Sequence, residues 1–208
     1  MLVAGAKGHA VEIIDVLLRQ YTKEEVLLFD NVSESFDMDT ISRFRILKTD
    51  AEVKQLFEED NRFVLGTGNP SVRKKLADYL GRLGGQLCSV ISPLAVISNW
   101  NVSLGSGINI MHGAIIQPEV TIGEGTLINA AALVHHESKI GQYCEICPGA
   151  IITGHVSVGD FTMIGSGAVI LPGIKIGAYV KVGAGAVVTA DVEDGVTIVG
   201  SPARRVIK

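Results

Sequence analysis

The sequence predicts a small α/β Rossmann-like N-terminal domain followed by a left-handed parallel β-helix, built from hexapeptide repeats in about five coils. An aliphatic residue recurs at every sixth position over residues 104–188, and a glycine recurs at every eighteenth position over residues 105–177. Residues 1–88 lack that period and carry short apolar strands and amphipathic helices instead. We therefore expect an α/β domain over residues 1–90, a β-helix over 91–190 and a C-terminal tail over 191–208.

The chain opens with a strand, a glycine-rich turn and a helix. The short apolar strand Leu2–Ala4 leads into Gly5-Ala6-Lys7-Gly8-His9, and an amphipathic helix follows. Backbone N–H groups converge at such a helix N-terminus, which is typical of a phosphate site. A second strand, Val26–Phe29, ends at Asp30-Asn31, where a dinucleotide fold uses an acidic residue to bind a ribose hydroxyl.

The rest of the N-terminal region continues the alternation of strands and helices. Thr49-x-x-Glu52 is a capping box that opens a helix. A third strand, Phe63–Leu65, runs into Gly66-Thr67-Gly68-Asn69, where Asn69 can cap a helix that begins at Pro70. A final apolar stretch, Leu87–Ile91, leads into the first coil. The pattern predicts a small parallel sheet. A nucleotide-sized ligand and glycines that merely permit tight packing are equal alternatives here, and a nucleotidyltransferase is disfavoured.

The six-residue ladder predicts the β-helix, because neither an α-helix nor a half-buried strand has this period. Three short strands make one triangular coil, and coils stack at strand spacing, roughly 4.8 Å. Ladder residues point inward, small residues fill the corners, and we expect the repeated glycines to supply unusual turn torsions. The ladder consists of Leu104, Ile110, Ile116, Ile122, Ile128, Val134, Ile140, Ile146, Ile152, Val158, Ile164, Ile170, Ile176, Val182 and Val188.

After Val188 the ladder loses its register. Residues 189–195 are acidic and loop-like, and Arg204-Arg205 follow a Gly-Ser-Pro-Ala turn. Two arginines beside a turn can bind phosphates. A solvated tail is the favoured interpretation from spacing alone.

Composition excludes several classes of protein. The formal net charge is −4 and no cluster of Lys or Arg occurs, which argues against a nucleic-acid partner. No apolar run reaches the length of a membrane span, and the N-terminal stretch has the pattern of neither an anchor nor a signal peptide. Three cysteines suit a reducing cytoplasm. Cys144 and Cys147 form a single C-x2-C without a second pair, so a metal or redox role is disfavoured.

The repeat is broken at His135-His136-Glu137, and this break is the strongest candidate for chemistry. A histidine there can accept a proton near neutral pH, and the adjacent carboxylate can orient it. Gly154 lies one coil further on, where a bare backbone N–H could stabilise an oxyanion. Asn129, on the preceding rung, could hold a substrate hydroxyl or amine. An idle surface histidine is an equal alternative for His136, and we expect His112 and His155 to be structural or peripheral.

A metal site between subunits occurs in some left-handed β-helices and needs three converging histidines. The histidines of the β-helix offer no His-x4-His pair, and neighbouring His135 and His136 point in different directions. We therefore expect no metal, and a metal hydratase is disfavoured.

The chain resembles the PglD/NeuD-like bacterial sugar acyltransferases over nearly its whole length. The ladder alone is shared by many acyltransferases, but the small N-terminal domain combined with the His-Glu pair is more specific. Two positions depart from the pattern: Glu145 stands where related amino-sugar enzymes have a second histidine, and Lys7 replaces a small residue. The matching features are Gly5-Ala6-Lys7-Gly8-His9, Asp30-Asn31, Gly68-Asn69, Asn129, His136-Glu137-x-x-Ile140-Gly141, Gly154 and Gly200-Ser201-Pro202-Ala203.

The resemblance implies a homotrimer with acetyl-CoA in grooves between neighbouring β-helices. It implies that His136 is the general base, that Glu137 orients it and that Asn129 lies near the acceptor. The residues implied for the nucleotide of a nucleotide-linked sugar are Lys7, Gly8, His9, Asp30, Asn31 and Gly68. Those implied for acetyl-CoA are Glu145, Gly154, Ser166 and Ala184.

From this resemblance we expect a cytoplasmic, acetyl-CoA-dependent N-acetyltransferase that acts on a UDP- or GDP-linked 4-amino sugar by direct attack. An O-acetyltransferase of the sialic-acid type is the alternative within the fold. A non-catalytic trimeric partner protein that binds a nucleotide is the alternative from another class.

Overall fold

The computed structural model describes residues 1–33, 41 and 43–206. The chain divides into two compact units, Met1–Val90 and Ile91–Lys208. Among the described residues, no helix has the length and apolar character that crossing a membrane requires.

The first unit is built on a five-stranded sheet in which each strand is parallel to its neighbours, as expected for a Rossmann-like domain. The strand order is β3-β2-β1-β4-β5. The strands are β1 (Leu2–Ala4), β2 (Leu27–Phe29), β3 (Ile46–Leu47), β4 (Arg62–Leu65) and β5 (Gln86–Leu87). The helices are α1 (Gly8–Leu17), α2 (Asp50–Glu59) and α3 (Pro70–Arg82), with a 3-10 turn at Lys23–Glu25.

Two helix starts predicted from capping residues are confirmed. The Thr49 side chain accepts a hydrogen bond from the Glu52 backbone N–H, and Glu52 bonds back to Thr49, which closes the capping box of α2. Asn69 Oδ1 accepts from the Val72 N–H at the start of α3, whose first residue is Pro70. These side chains satisfy N–H groups that no helical carbonyl can reach.

Two strands differ from the expectation. Strand β3 was not predicted, because a two-residue strand carries no readable period. The single apolar stretch expected at Leu87–Ile91 is divided, since Gln86–Leu87 pairs with β4 while Val90–Ile91 belongs to a sheet of the β-helix.

The second unit is a β-helix with three stacked sheets. Sheet I contains β6 (Val90–Ile91), β9 (Asn109–Ile110), β12 (Leu127–Ile128), β15 (Glu145–Ile146), β18 (Met163–Ile164), β21 (Lys181–Val182), β23 (Thr197–Val199) and β24 (Arg204–Arg205). Sheet II contains β7 (Val96–Ile97), β10 (Ile115–Ile116), β13 (Leu133–Val134), β16 (Ile151–Ile152), β19 (Val169–Ile170) and β22 (Val187–Val188). Sheet III contains β8 (Ser103–Leu104), β11 (Thr121–Ile122), β14 (Lys139–Ile140), β17 (Ser157–Val158) and β20 (Lys175–Ile176).

The predicted ladder forms the core of this unit. Every ladder residue from Ile110 to Val188 is at most 4% exposed, whereas Leu104, the first residue of the ladder, is half-buried. Strands of successive coils pair in parallel at a register of eighteen residues, as Ile128 with Ile146 and Ile146 with Ile164. Each coil thus closes three strands around the same aliphatic column, which removes that apolar surface from water.

The repeated glycines have a different physical role from the one expected. Gly123 does not adopt a left-handed φ; a Cβ on it would lie only 2.6 Å from the Gly141 carbonyl carbon of the next coil. The left-handed residue comes two positions later, as Gly125 with φ 65° or Tyr143 with φ 49°. The expectation of unusual torsions at the repeated glycines is therefore wrong, and their requirement is the close approach of stacked coils.

The coil continues past Val188 although the six-residue spacing ends there. Val192 bridges Ile176, and Ile198 pairs with Val182, so the register shortens from eighteen residues to sixteen. Ile198 is buried. Strand β24 turns back antiparallel to β23 and carries the arginine pair. Residues 191–206 thus add part of a coil and a capping strand.

Candidate active site

The α/β unit contains a cavity of about 410 Å³ at the carboxyl ends of β1, β2 and β4. This is the edge at which open α/β sheets bind ligands. Of the six residues that the resemblance implied for a nucleotide, Gly8 is not part of the lining and instead begins α1. The other five line the cavity: Lys7, His9, Asp30, Asn31 and Gly68.

Two glycines bring the turns that follow β1 and β4 together at this cavity. Gly5 has φ 118°, and a Cβ on it would lie 3.0 Å from the Gly66 carbonyl oxygen. A Cβ on Gly66 would lie 2.6 Å from Val3 Cγ1. A larger residue at Gly5 would be strained by its positive φ, and one at Gly66 would displace the Val3 side chain, so the two glycines allow the turns to approach each other.

Asp30 bonds to its own loop. Its Oδ1 accepts from the Val32 and Ser33 N–H groups, and its Oδ2 accepts from the Ser33 hydroxyl at 3.0 Å. A carboxylate has about four acceptor positions. Asp30 therefore shapes the loop at the end of β2 and retains acceptor capacity towards the cavity.

Two further side chains stabilise the cavity walls. His9 Nδ1 lies 2.7 Å from Glu12 Oε2, and the hydrogen bond from His9 lowers the pKa of the Glu12 carboxyl. Arg73, a buried residue of α3, donates from Nη1 to the Thr67 carbonyl at 2.7 Å. Sequence reasoning missed Arg73, because its place in the helical pattern does not show that its guanidinium reaches back to the loop after β4.

The His-Glu pair lies at the corner between β13 and β14, which connects sheet II to sheet III. His136 Nδ1 and Glu137 Oε2 are 3.0 Å apart, and both side chains are about half exposed, at 50% and 44%. Glu137 adopts a left-handed φ of 59°. The pairing of adjacent residues is possible because the corner turns the backbone sharply between them.

A second histidine joins this pair. His155 Nε2 lies 3.3 Å from the same Glu137 oxygen, and the His136 and His155 rings meet edge to face with centroids 5.1 Å apart. His155 was expected to be structural or peripheral, and the structure places it in contact with the His-Glu pair. It lies eighteen residues after Glu137, so the coil period places the two residues on neighbouring coils, but the rotation of the side chains decides whether they touch. His112 lies on another corner, with its Nδ1 2.5 Å from Ser92 Oγ.

Gly154 lies directly beneath the His136 ring. A Cβ on Gly154 would lie 2.7 Å from His136 Cε1 and 2.8 Å from Nε2. The absent side chain is thus what allows the imidazole to lie over the next coil. The two residues were expected to be neighbours because eighteen positions separate them, and the structure brings them together.

The remaining four residues implied by the resemblance lie elsewhere on the coil. Three of them, Asn129, Ser166 and Ala184, lie at corners between sheets I and II. Asn129 Oδ1 accepts a hydrogen bond from the Ala130 N–H there. Glu145 lies on β15 in sheet I. A single chain therefore does not bring these residues to the His136 corner.

The cysteines of the β-helix are protected from reaction. Burial raises the pKa of the Cys144 thiol to about 12, and burial together with neighbouring Glu145 raises that of Cys147 to about 12. A thiol with such a pKa is almost entirely protonated at neutral pH and is a poor nucleophile.

Comparisons with known families match both units. The PglD N-terminal domain matches residues 1–80, and the bacterial transferase hexapeptide (six repeats) matches residues 155–190. A comparison with curated protein sequences gives no match.

Several solved structures match the whole chain or nearly all of it. Perosamine N-acetyltransferase from Caulobacter crescentus, solved with CoA and GDP-perosamine, is 31% identical with a TM-score of 0.89, covering 100% of this chain and 96% of that chain. The acetyltransferase domain of PglB from Neisseria gonorrhoeae, solved with acetyl coenzyme A, is 28% identical with a TM-score of 0.88, covering 99% and 98%. WeeI from Acinetobacter baumannii is 29% identical with a TM-score of 0.86, covering 99% and 98%.

Proposed function

The chain belongs to the PglD/NeuD-like family of hexapeptide-repeat sugar acetyltransferases, and we propose that it transfers an acetyl group from acetyl-CoA to the amine of a nucleotide-linked amino sugar. The observation that carries this proposal is the His136–Glu137 pair lying over the bare backbone of Gly154. Support comes from perosamine N-acetyltransferase, which was solved with CoA and GDP-perosamine and spans this chain completely.

His136 is the general base of the proposed reaction. With a proton on Nδ1 shared with Glu137 Oε2 at 3.0 Å, Nε2 carries the free lone pair. As the sugar amine attacks the thioester carbonyl, its nitrogen becomes cationic and loses a proton to Nε2. Glu137 stabilises the imidazolium that forms, and the proton can then pass to the departing CoA thiolate.

The backbone N–H of Gly154 is the proposed oxyanion donor. Two equivalent corner positions on other coils, thirty-six residues before it and eighteen residues after it, are Pro118 and Pro172, which have no N–H. The coil therefore does not need a donor at this position. An N–H there is available to the oxygen of the tetrahedral intermediate, beside the base that removes the proton.

Direct attack is favoured over an acyl-enzyme. The two cysteines of the β-helix, Cys144 and Cys147, are buried, and their pKa values are raised to about 12. Positioning the two substrates side by side can supply much of the rate acceleration without a covalent intermediate.

The cavity of the α/β unit is proposed to hold the nucleotide. The turn at the start of α1 offers backbone N–H groups to the phosphates, and Lys7 offers a cation. Asp30 offers its remaining acceptor capacity to a ribose hydroxyl. Val72 and Leu76 supply an apolar wall for the nucleobase. A UDP- or GDP-linked 4-amino sugar fits this set of contacts.

A homotrimer completes the proposed site. Asn129 and Glu145 lie away from the His136 corner within one chain, so a second copy is needed to place them beside it. In that arrangement acetyl-CoA lies between neighbouring β-helices along Gly154, Ser166 and Ala184, and Glu145 lies near the acetyl group. We place the enzyme in the cytoplasm, where acetyl-CoA and nucleotide sugars are both present.

The test is acetyl transfer to a panel of UDP- and GDP-linked 4-amino sugars and to free sialic acid, by wild type and His136→Ala. We expect turnover on an amino sugar and a fall in kcat of about a hundredfold or more in the variant, as for loss of a general base. Turnover on sialic acid alone would show that the acceptor is a hydroxyl group and not an amine. Unchanged kcat in His136→Ala would exclude this histidine as the base.

A further inference from the structure

Three potential metal ligands converge at the His136 corner. His136 Nδ1 lies 3.0 Å and His155 Nε2 lies 3.3 Å from Glu137 Oε2, and the three donor atoms all lie within 4.8 Å of one another. Two imidazole nitrogens and one carboxylate oxygen are a donor set that zinc uses, with a fourth position left for water or substrate.

The spacing of these atoms fits a tetrahedral ion. Zinc bonds to nitrogen and oxygen are about 2.0–2.2 Å long, so two ligands on one ion stand roughly 3.3–3.5 Å apart. The two distances to Glu137 are close to that value, and the two histidine nitrogens lie within 4.8 Å of each other, so an ion can enter after side-chain rotations that bring the two rings together. All three side chains are about half exposed or more, which leaves the cluster open to solvent.

The backbone holds the ligands in place before any ion arrives. Glu137 and His155 are equivalent residues of successive coils, each with φ 59°. The Glu137 N–H donates to the Pro118 carbonyl and the His155 N–H to the His136 carbonyl, both at 3.1 Å. Ligands carried by a rigid scaffold lose little conformational entropy when they bind.

We propose that His136, Glu137 and His155 form a binding site for a divalent transition-metal cation of the zinc type, and that the bound cation switches the enzyme off. The inhibitory part rests on the proposed role of His136 as the base, whereas binding itself does not.

The inhibition follows from the tautomer of His136. A metal on Nδ1 uses the lone pair of that nitrogen, so the neutral ring must carry its proton on Nε2. Nε2 then has no lone pair with which to accept the proton of the attacking amine. The same ion engages Glu137, which removes its hydrogen bond to His136. One binding event thus disables both members of the pair.

The chain offers a matched control on the same corner. His135 precedes His136, its ring centroid is 6.1 Å from that of His136, and it is not part of the cluster. His155→Asn removes one proposed ligand without touching the base, whereas His135→Asn removes a neighbouring histidine that is not a ligand.

Binding is measured first by titrating full-length protein with Co²⁺ and following the visible absorption of the tetrahedral ion, with Zn²⁺ added in competition. We expect one cobalt per chain in wild type and His135→Asn. In His155→Asn the dissociation constant should rise at least about tenfold, since even the loss of an outer partner weakens metal sites by 10- to 100-fold. Equal affinity in His155→Asn and wild type would refute the site.

Inhibition is then measured as acetylated sugar formed, quantified by chromatography because zinc also binds the thiol of released CoA. Each variant is compared with its own rate in EDTA. Zinc should slow wild type and His135→Asn at least about tenfold at concentrations that leave His155→Asn unaffected. Full activity with cobalt bound, or a rate that falls when EDTA is added to purified protein, would overturn inhibition. The cobalt titration needs no acetyl acceptor, so failure there is distinct from failure of the proposed acetyl transfer.

Discussion

In the β-helix unit, the distance between two residues in space follows from their separation in sequence, whereas in the α/β unit it does not. His136, Gly154 and His155 meet because the coil repeats every eighteen residues. The turns at Gly5 and Gly66 meet although no period relates them, because β1 and β4 are neighbours in a sheet. In a repeat, the neighbours of a residue can therefore be found from the sequence period alone, whereas in a parallel α/β sheet the strand order must be known first.

The two units also differ in how stability is distributed. Equivalent ladder positions of the β-helix have nearly identical surroundings, so substitutions there should have nearly identical effects. In the α/β unit, individual caps and loops stabilise individual helices, and each substitution should have its own cost. Four predictions test this contrast, with protein concentration held constant because assembly contributes to apparent stability.

The largest effect is expected in the ladder. Ile146→Ala and Ile164→Ala each remove a fully buried side chain from adjacent coils of sheet I and should lower the free energy of unfolding by about 2–5 kcal/mol. The two losses should be similar, and Lys181→Ala on the exposed face of the same sheet should change stability little. Denaturant unfolding measures all three. Markedly unequal ladder losses would contradict the equivalence of the coils.

Two glycines should separate stability from activity. Gly123→Ala places a Cβ against the backbone of the next coil and should cost about 1–3 kcal/mol of stability, as overpacking does. Gly154→Ala places its Cβ against the His136 ring instead, which can rotate away. We therefore expect this variant to keep a near-normal melting temperature and to lose most of its kcat. A Gly154→Ala enzyme with wild-type kcat would show that the position of the ring over Gly154 is unimportant.

A smaller effect is expected at a cap of the α/β unit. Asn69→Ala removes the acceptor for the Val72 N–H and should destabilise the protein by about 1 kcal/mol, whereas Asn69→Asp keeps an acceptor and should be close to wild type. Asn69 directly follows Gly68, which lines the cavity. Nucleotide affinity should therefore fall with Asn69→Ala, because the loop after β4 loses its anchor to α3. Isothermal titration with UDP and GDP measures that affinity, and equal stability of the two variants would argue against the cap.

The smallest effect concerns pH. The Arg62 guanidinium holds the pKa of the Asp60 carboxyl well below its usual range. A depressed folded-state pKa contributes stability that is present above the unfolded value of about 3.9 and is lost as the pH falls towards the folded value. Asp60→Asn should therefore lower stability by less than about 1 kcal/mol at pH 7, and the difference from wild type should shrink below about pH 4. Urea midpoints across pH 3–7 measure this difference, and a gap that widens in acid would contradict the assignment.

Much of the fold was predictable from the sequence because its signals are local or periodic. The ladder from Ile110 to Val188 identified the core of the β-helix, and Thr49 and Asn69 marked two helix starts. The neighbourhood of His136 and Gly154 followed from the coil period. Each of these inferences needs only the spacing of residues along the chain and the geometry of one element.

The remaining features depend on contacts between elements that no spacing encodes. Arg73 reaches back from α3 to the Thr67 carbonyl, and the turns at Gly5 and Gly66 meet, because the packing of strands and helices places those atoms together. The glycine at Gly123 is required by the backbone of the next coil and not by its own torsion. The sequence by itself determined the architecture and the His-Glu pair. The folded chain decided that His155 shares the Glu137 carboxylate, since the rotation of side chains at a corner depends on what surrounds them.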